Sequence, residues 1–304
     1  MESISATDKN KVKLGYFMVI LCGMTWGLGG VLGQKLFANS DITPAFMSST
    51  RMIISGIIIL AVCVVREGKQ TFKIYTAAKD IPLFLFFALF GVMAMQFSYF
   101  ASVEASNAAT ATVLQYIYPA LILMIETVRE RRVPKFYEGV CVISAFMGVF
   151  TIATHFHVSN LHLTPMALVW GMLSAVSYAI YTIVPDRLYT EYGLAKIIGN
   201  SLLVGGIVLF ISTRSYRLDV TLNAFVIGIM IYIILFSSLM PLLLYGKGVR
   251  ILGSVKASLL VTVEPVFCAV VSIILKMTVF TWVDFLGFLF ILAPIEYTAL
   301  RDRK

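Results

Sequence analysis

Charge is what this chain has least of. Only 13% of its 304 residues are Asp, Glu, Lys or Arg, and the acidic ones number 16. That is too little polar surface to coat a soluble fold of this length, and it argues against an attached soluble catalytic or nucleic-acid-binding domain. Metal and thiol ligands are equally scarce. The four cysteines, Cys22, Cys63, Cys141 and Cys268, stand singly in apolar stretches without Cys-x-x-Cys spacing, which opposes a disulfide framework or a zinc site. His155, His157 and His162 lie close together but have no acidic or cysteine partner nearby, so no metal is expected. Gly29-x-x-x-Gly33 has helix-packing spacing, with no strand before it and no Gly-Lys-Ser/Thr after it, which removes a phosphate loop and ATP coupling. No Ser/His/Asp or paired-carboxylate arrangement occurs at a common depth, so neither an enzyme nor a cofactor is expected.

What remains is apolar: 59% hydrophobic, with a mean hydropathy of +0.90. A bilayer core about 30 Å thick takes roughly 20 apolar residues per helical span. The length therefore accommodates about ten spans with short connections. Apolar runs between charge clusters place them near 14–36, 44–65, 81–100, 108–128, 137–154, 165–185, 195–212, 224–246, 253–275 and 282–300. Residues 1–13 form a polar tail, and the run from Leu14 is too long for a removable signal peptide. An even number of spans puts both termini on one side. The basic residues say which. With the N-terminus cytoplasmic, the outer segments hold only Lys35, Arg214, Arg217 and Lys276, and Arg51 lies within a span. The rest of the 24 lysines and arginines fall inside, as the positive-inside rule requires of a multi-pass protein of the cytoplasmic membrane.

The two halves echo each other. Tyr99, Ala111 and Pro119 recur 146 residues later as Tyr245, Ala257 and Pro265, and Glu138 and Asp284 obey the same shift. Trp26, Lys35, Leu36 and Phe37 recur 152 residues later as Tyr178, Arg187, Leu188 and Tyr189. Each half, 14–154 and 165–300, contains an odd number of spans, five, so the second copy crosses the membrane upside down. The expected fold is an all-α membrane protein of ten transmembrane helices in two inverted five-helix repeats, with a cavity between them.

Several motifs carry a family resemblance: Gly23-Met24-Thr25-Trp26-Gly27, Pro44 through Arg51, Gln96 and Tyr99, Asn107-Ala108-Ala109-Thr110-Ala111, Pro119 and Glu130, and Glu264-Pro265-Val266-Phe267. Their order and spacing resemble the drug/metabolite transporter superfamily, EamA-like branch, over nearly the whole chain. The resemblance implies a ten-helix inverted-repeat transporter of small metabolites, often outward and often of amino acids or related compounds. One position departs from the pattern. Glu130 follows Pro119 by eleven residues, but Lys276 stands at the matching place after Pro265.

Glu264 is the sharpest candidate for chemistry, because an ionised carboxylate half-way along a span costs several kcal/mol unless paired, solvated or protonated. It either attracts a cationic substrate, carries a coupled proton, or packs against the break at Pro265. Its repeat mate is Tyr118, so the two halves present an acid and a phenol. Arg51, in the outer third of its span, either snorkels to the interface, holds a carboxylate or closes a gate. Glu126, beside Arg129 and Glu130, reads as a gate residue or a salt-bridged surface group. Trp26 and its mate Tyr178, with Tyr99, Tyr118, Tyr181 and Tyr245, either wall an aromatic pocket suited to a ring or an ammonium, or simply pack. Gln96 and Gln115 each need a hydrogen-bond partner within the membrane, another helix or a substrate. Trp170 and Trp282 are expected as interface anchors or packing residues.

These residues describe a secondary transporter whose halves rock about a site lined by Trp26, Gln96, Tyr99, Gln115, Tyr118, Tyr178 and Glu264, with Arg51 and Glu126 in gating or charge pairing. The expected partners are the lipid bilayer, a small polar or amine-bearing, amino-acid-like substrate and a coupled proton, and not nucleic acid. The rival is a non-transporting membrane scaffold or sensor on the same fold, which predicts a dry centre filled by the aromatics.

Overall fold

A computed structural model describes residues 6–157, 159, 163–221, 223–274 and 281–301. Among the described residues the regular structure is helical throughout, with no strand. Eight helices are long and apolar enough to cross a membrane. In chain order these are α1 (Ala6–Ala38), α2 (Pro44–Glu67), α3 (Ile81–Ala105), α4 (Ala108–Arg129), α5 (Phe136–Thr154), α6 (Pro165–Ile183), α7 (Leu194–Ser212) and α8 (Ala224–Leu252). Two more follow: α9, formed by Ser254–Leu260 and Val263–Ile274, and α10 (Trp282–Arg301), whose apolar part Trp282–Ile295 is shorter. A short helix, Asp186–Tyr192, joins α6 to α7.

Local chemistry fixes many of the helix ends. Thr43, Asn107, Thr164 and Asn223 each cap a helix by accepting a backbone N–H through the side-chain oxygen, and proline stands in the first turn after Thr43 and Thr164. Hydropathy places helix ends poorly where the helix leaves lipid. The first span was expected from 14 but its helix begins at Ala6, and the third runs on to Ala105 rather than 100, since polar residues extend a helix into water at little cost.

Four of the long helices are irregular, at related places. α3 and α8 contain wide π turns, Phe87–Met93 and Leu235–Leu239, which end 146 residues apart. α4 is interrupted at Tyr116–Ile117 and α9 at Val261–Thr262, just ahead of Pro119 and Pro265, which restart each helix from a first turn needing no amide donor. The caps of α5 and α10 correspond too. Glu138 accepts the Lys135 N–H at 2.9 Å, and Asp284 accepts the Thr281 N–H at 2.8 Å.

Packing follows the same correspondence. α2 lies along α7, α5 along α10, α3 along α6 and α8 along α1, while α4 contacts α6 as α9 contacts α1. Exchanging α1–α5 with α6–α10 in order maps this set of contacts onto itself. The α5–α10 contact is backbone against backbone: a Cβ on Gly148 would stand 2.8 Å from the Gly287 carbonyl, and one on Gly287 would stand 3.1 Å from that of Gly148.

Candidate functional site

Arg51 sits two turns into α2 and is 1% exposed, so it does not snorkel to the surface. Its Nη2 donates to the Gln96 carbonyl at 2.7 Å, which also accepts from Ser48 Oγ at 3.1 Å. The guanidinium carbon lies 4.6 Å over the Phe100 ring, and Nε has no partner. No carboxylate pairs with this cation among the described residues. Glu264, in the first turn of the second part of α9, is 7% exposed and accepts from the Tyr116 hydroxyl at 3.0 Å. It too has no charged partner among the described residues. Leaving either ion buried and unpaired would cost several kcal/mol.

Both charges face one cavity of about 40 Å³, lined by Trp26, Arg51, Met95, Gln96, Tyr99, Phe100, Gln115, Tyr178, Ser237 and Glu264. That is room for about three waters. The π turn of α8 helps to build its wall: the Ser237 carbonyl accepts the Trp26 indole N–H at 3.0 Å, and Ser238 Oγ accepts from Gln96 Nε2 at 3.3 Å. Gln115 Nε2 donates to Ser174 Oγ at 2.5 Å, and the Tyr99 hydroxyl is 3.3 Å from Thr112 Oγ1.

The structure thus brings Trp26, Gln96, Tyr99, Gln115, Tyr178 and Glu264 together and adds Arg51 to them. Tyr118 is not on the cavity wall. Its ring stacks 3.9 Å from that of Tyr178, and its hydroxyl donates to the Ser258 carbonyl at 3.2 Å. Glu126 lies apart, at the end of α4, where it accepts from Ser254 Oγ at 2.8 Å with Arg129 at 3.9 Å. Met95, Phe100 and Ser237 line the cavity without having been singled out, because apolar and small residues in a span carry no signal that separates lining from packing.

A tyrosine layer bounds the cavity. Tyr245 stands 5.7 Å from Trp26, 5.4 Å from Tyr178 and 6.0 Å from Tyr181 between ring centres, and its hydroxyl is 3.2 Å from Thr182 Oγ1. Beyond it is a recess of about 20 Å³ that includes Asp186, Tyr189 and Arg250. At the same end, the buried Asp80 carboxylate accepts from Arg187 Nη2 and from the Tyr192 hydroxyl, each at 2.6 Å. The bond to Asp80 holds the Tyr192 phenol above its usual range.

Elsewhere, Arg132 pairs with Glu138 at 2.7 Å and with Glu130, and both carboxylates raise its already high pKa further. His155 Nε2 is 2.7 Å from Asp284 Oδ1, and the described residues contain no group of three metal-binding side chains. His162, Lys276 and the side chain of Cys268 lie outside the described residues; Cys22, Cys63 and Cys141 are buried free thiols. Trp170 packs edge-on to Phe97 at 5.2 Å, and Trp282 is exposed.

The family model of the EamA-like transporter family matches residues 13–154 and again 165–295. The chain belongs to the EamA-like transporter family. It is 30% identical over 290 residues to a Salmonella typhimurium protein named an uncharacterized inner membrane transporter, YicL, covering 95% of this chain and 96% of that one. It is 23% identical to the uncharacterized transporter YrdR of Bacillus subtilis, covering 97% and 94%. A solved crystal structure at 12% identity superposes with a TM-score of 0.76 over 97% of this chain and 98% of its own, a likeness of fold. Family membership and the apolar helices make this a multi-pass transporter protein of the cytoplasmic membrane.

Proposed function

We propose that the chain spans the membrane ten times as two inverted five-helix repeats, 14–154 and 165–300, with both termini cytoplasmic, and exports a zwitterionic, amino-acid-like metabolite by alternating access. One observation carries this reading: a buried guanidinium and a buried carboxylate, neither with a charged partner among the described residues, face the same cavity. A substrate bearing a carboxylate and an ammonium supplies both missing partners at once. Arg51 offers its fork to the carboxylate, while Glu264, with the faces of Trp26 and Tyr178 nearby, takes the ammonium. Gln96 and Gln115 then orient what lies between. When the site is empty, a proton on Glu264 removes its uncompensated charge, which gives the coupled proton a place to bind.

Alternating access also needs a barrier that moves. The Tyr178–Tyr181–Tyr245 layer is the barrier in this reading, since it separates the cavity from the recess beyond. A cavity of about 40 Å³ is too small for an amino acid, so loading requires the halves to part. The scaffold alternative predicts a centre filled by aromatics, whereas the polar, charged lining supports a binding site.

Reconstitution in liposomes tests the proposal. An imposed pH gradient should drive uptake or release of amino acids carrying both charges, and decarboxylated or N-acylated analogues should not compete. Absence of flux across a broad panel of zwitterions would overturn it.

A further inference from the structure

The connection between α2 and α3 takes no part in the cavity. Gly68, at φ +59°, turns the chain away from the axis of α2, and Gly68–Thr76 continues as a 3-10 segment. One side of that segment faces the protein. Thr71 and Ile74 are buried, and the Thr71 carbonyl accepts from Asn200 Nδ2 of α7 at 3.0 Å. The other side faces away: Phe72 and Tyr75 are exposed, with their rings stacked 6.5 Å apart, and Lys69 and Lys73 are exposed beside them.

Arg66 and Lys79 flank the segment, also exposed. The acids nearby are already engaged. Glu67 accepts from Lys196 Nζ at 2.5 Å, and Asp80 is buried against Arg187 and Tyr192. Arg66, Lys69, Lys73 and Lys79 therefore have no carboxylate partner among the described residues, and Lys73 touches only the Tyr192 ring, at 6.0 Å. The corresponding connection, between α7 and α8, differs. There Arg217 lies 5.8 Å over Tyr216 and Asp219 is close in sequence, so positive charge is sparser.

Four cations without a carboxylate partner among the described residues, beside two exposed rings at the end of two apolar helices, suit the level of a bilayer where headgroup phosphates give way to acyl chains. Aromatic rings favour that level, and each lysine near an anionic leaflet adds roughly 1 kcal/mol of attraction, about a 5-fold gain in partitioning. We propose that residues 68–79 form a docking surface for anionic phospholipid, with Lys69, Lys73 and Lys79 on the headgroup phosphates and Phe72 and Tyr75 at the acyl boundary. The surface is independent of what the cavity carries.

Native mass spectrometry of the purified full-length protein, titrated with phosphatidylglycerol or phosphatidylcholine, reads the preference directly. Phosphatidylglycerol adducts should exceed phosphatidylcholine adducts several-fold. K69Q/K73Q/K79Q should lose most of that excess, and R214Q/R217Q should keep it. Equal adducts for the two lipids, or equal loss in both variants, would overturn the proposal. Hydrogen exchange on the unaltered protein covers the case of a variant that does not fold: amides of 68–79 should exchange more slowly in nanodiscs containing phosphatidylglycerol than in phosphatidylcholine alone. No difference, or the same protection from inorganic phosphate, would count against it.

Discussion

Arg51 and Glu264 both became candidates for the same reason, the expense of a charge inside a span, yet they differ in how far that reason reaches. For Glu264 it led straight to the cavity. For Arg51 a long stem left the surface open as an alternative, and only burial to 1% exposure removed it. Glu264→Gln keeps the shape and a hydrogen bond for Tyr116 while removing the titratable charge. Liposome flux should be lost or become independent of pH, with expression and melting temperature unchanged. Arg51→Gln removes the fork and should weaken binding of a carboxylate-bearing substrate by roughly 10- to 100-fold, the worth of a charge-assisted hydrogen bond. Thermal-shift titration checks this, and an amine without a carboxylate should stabilise neither the unaltered protein nor the variant. Tyr118 shows the limit of reading mates from a repeat. The pseudo-symmetry pairs it with Glu264, but Tyr118 is 1% exposed, stacks 3.9 Å from Tyr178 and is absent from the cavity lining.

At the scale of elements, hydropathy found the eight long apolar helices because lipid tolerates little polarity, and it missed their ends because water tolerates either helix or coil. The π turns and the positions of the two interruptions depend on backbone geometry that side-chain hydropathy does not report, although Pro119 and Pro265 marked where a fresh start was possible. Ionic contacts between elements were equally invisible. Asp80 joins the start of α3 to Arg187 and Tyr192 on the α6–α7 connection. Asp80→Asn should destabilise the protein by about 1–3 kcal/mol, since the buried Tyr192 hydroxyl loses a charged acceptor. Differential scanning fluorimetry in detergent measures it. The raised phenol pKa sets the sign of the pH effect: the contribution is full below the ordinary tyrosine range and fades only as pH climbs through the raised value. Gly148→Leu should cost a similar amount by pushing a side chain into the α10 backbone.

The whole molecule was the most legible level. Two constant offsets in the sequence point to a duplication, and the helix contacts survive exchange of the halves. The cavity's volume and the tyrosine layer were not legible, because they depend on how the two copies lean together in one conformation. If the copies are inverted, tags on the N- and C-termini should both be reached by antibody only after the cytoplasmic face is exposed. A terminus labelled from the other face would refute the ten-span arrangement.

The α5–α10 contact constrains biogenesis. α10 is translated well after α5, so until it emerges the Gly148 side of α5 lacks its partner; α2 waits in the same way for α7, and α1 for α8. The first five helices therefore enter the bilayer as an unfinished product. Quality control acting on nascent chains will see those uncovered faces until the partner helices emerge, and a ribosome stalled ahead of α10 should yield a species that proteases clear.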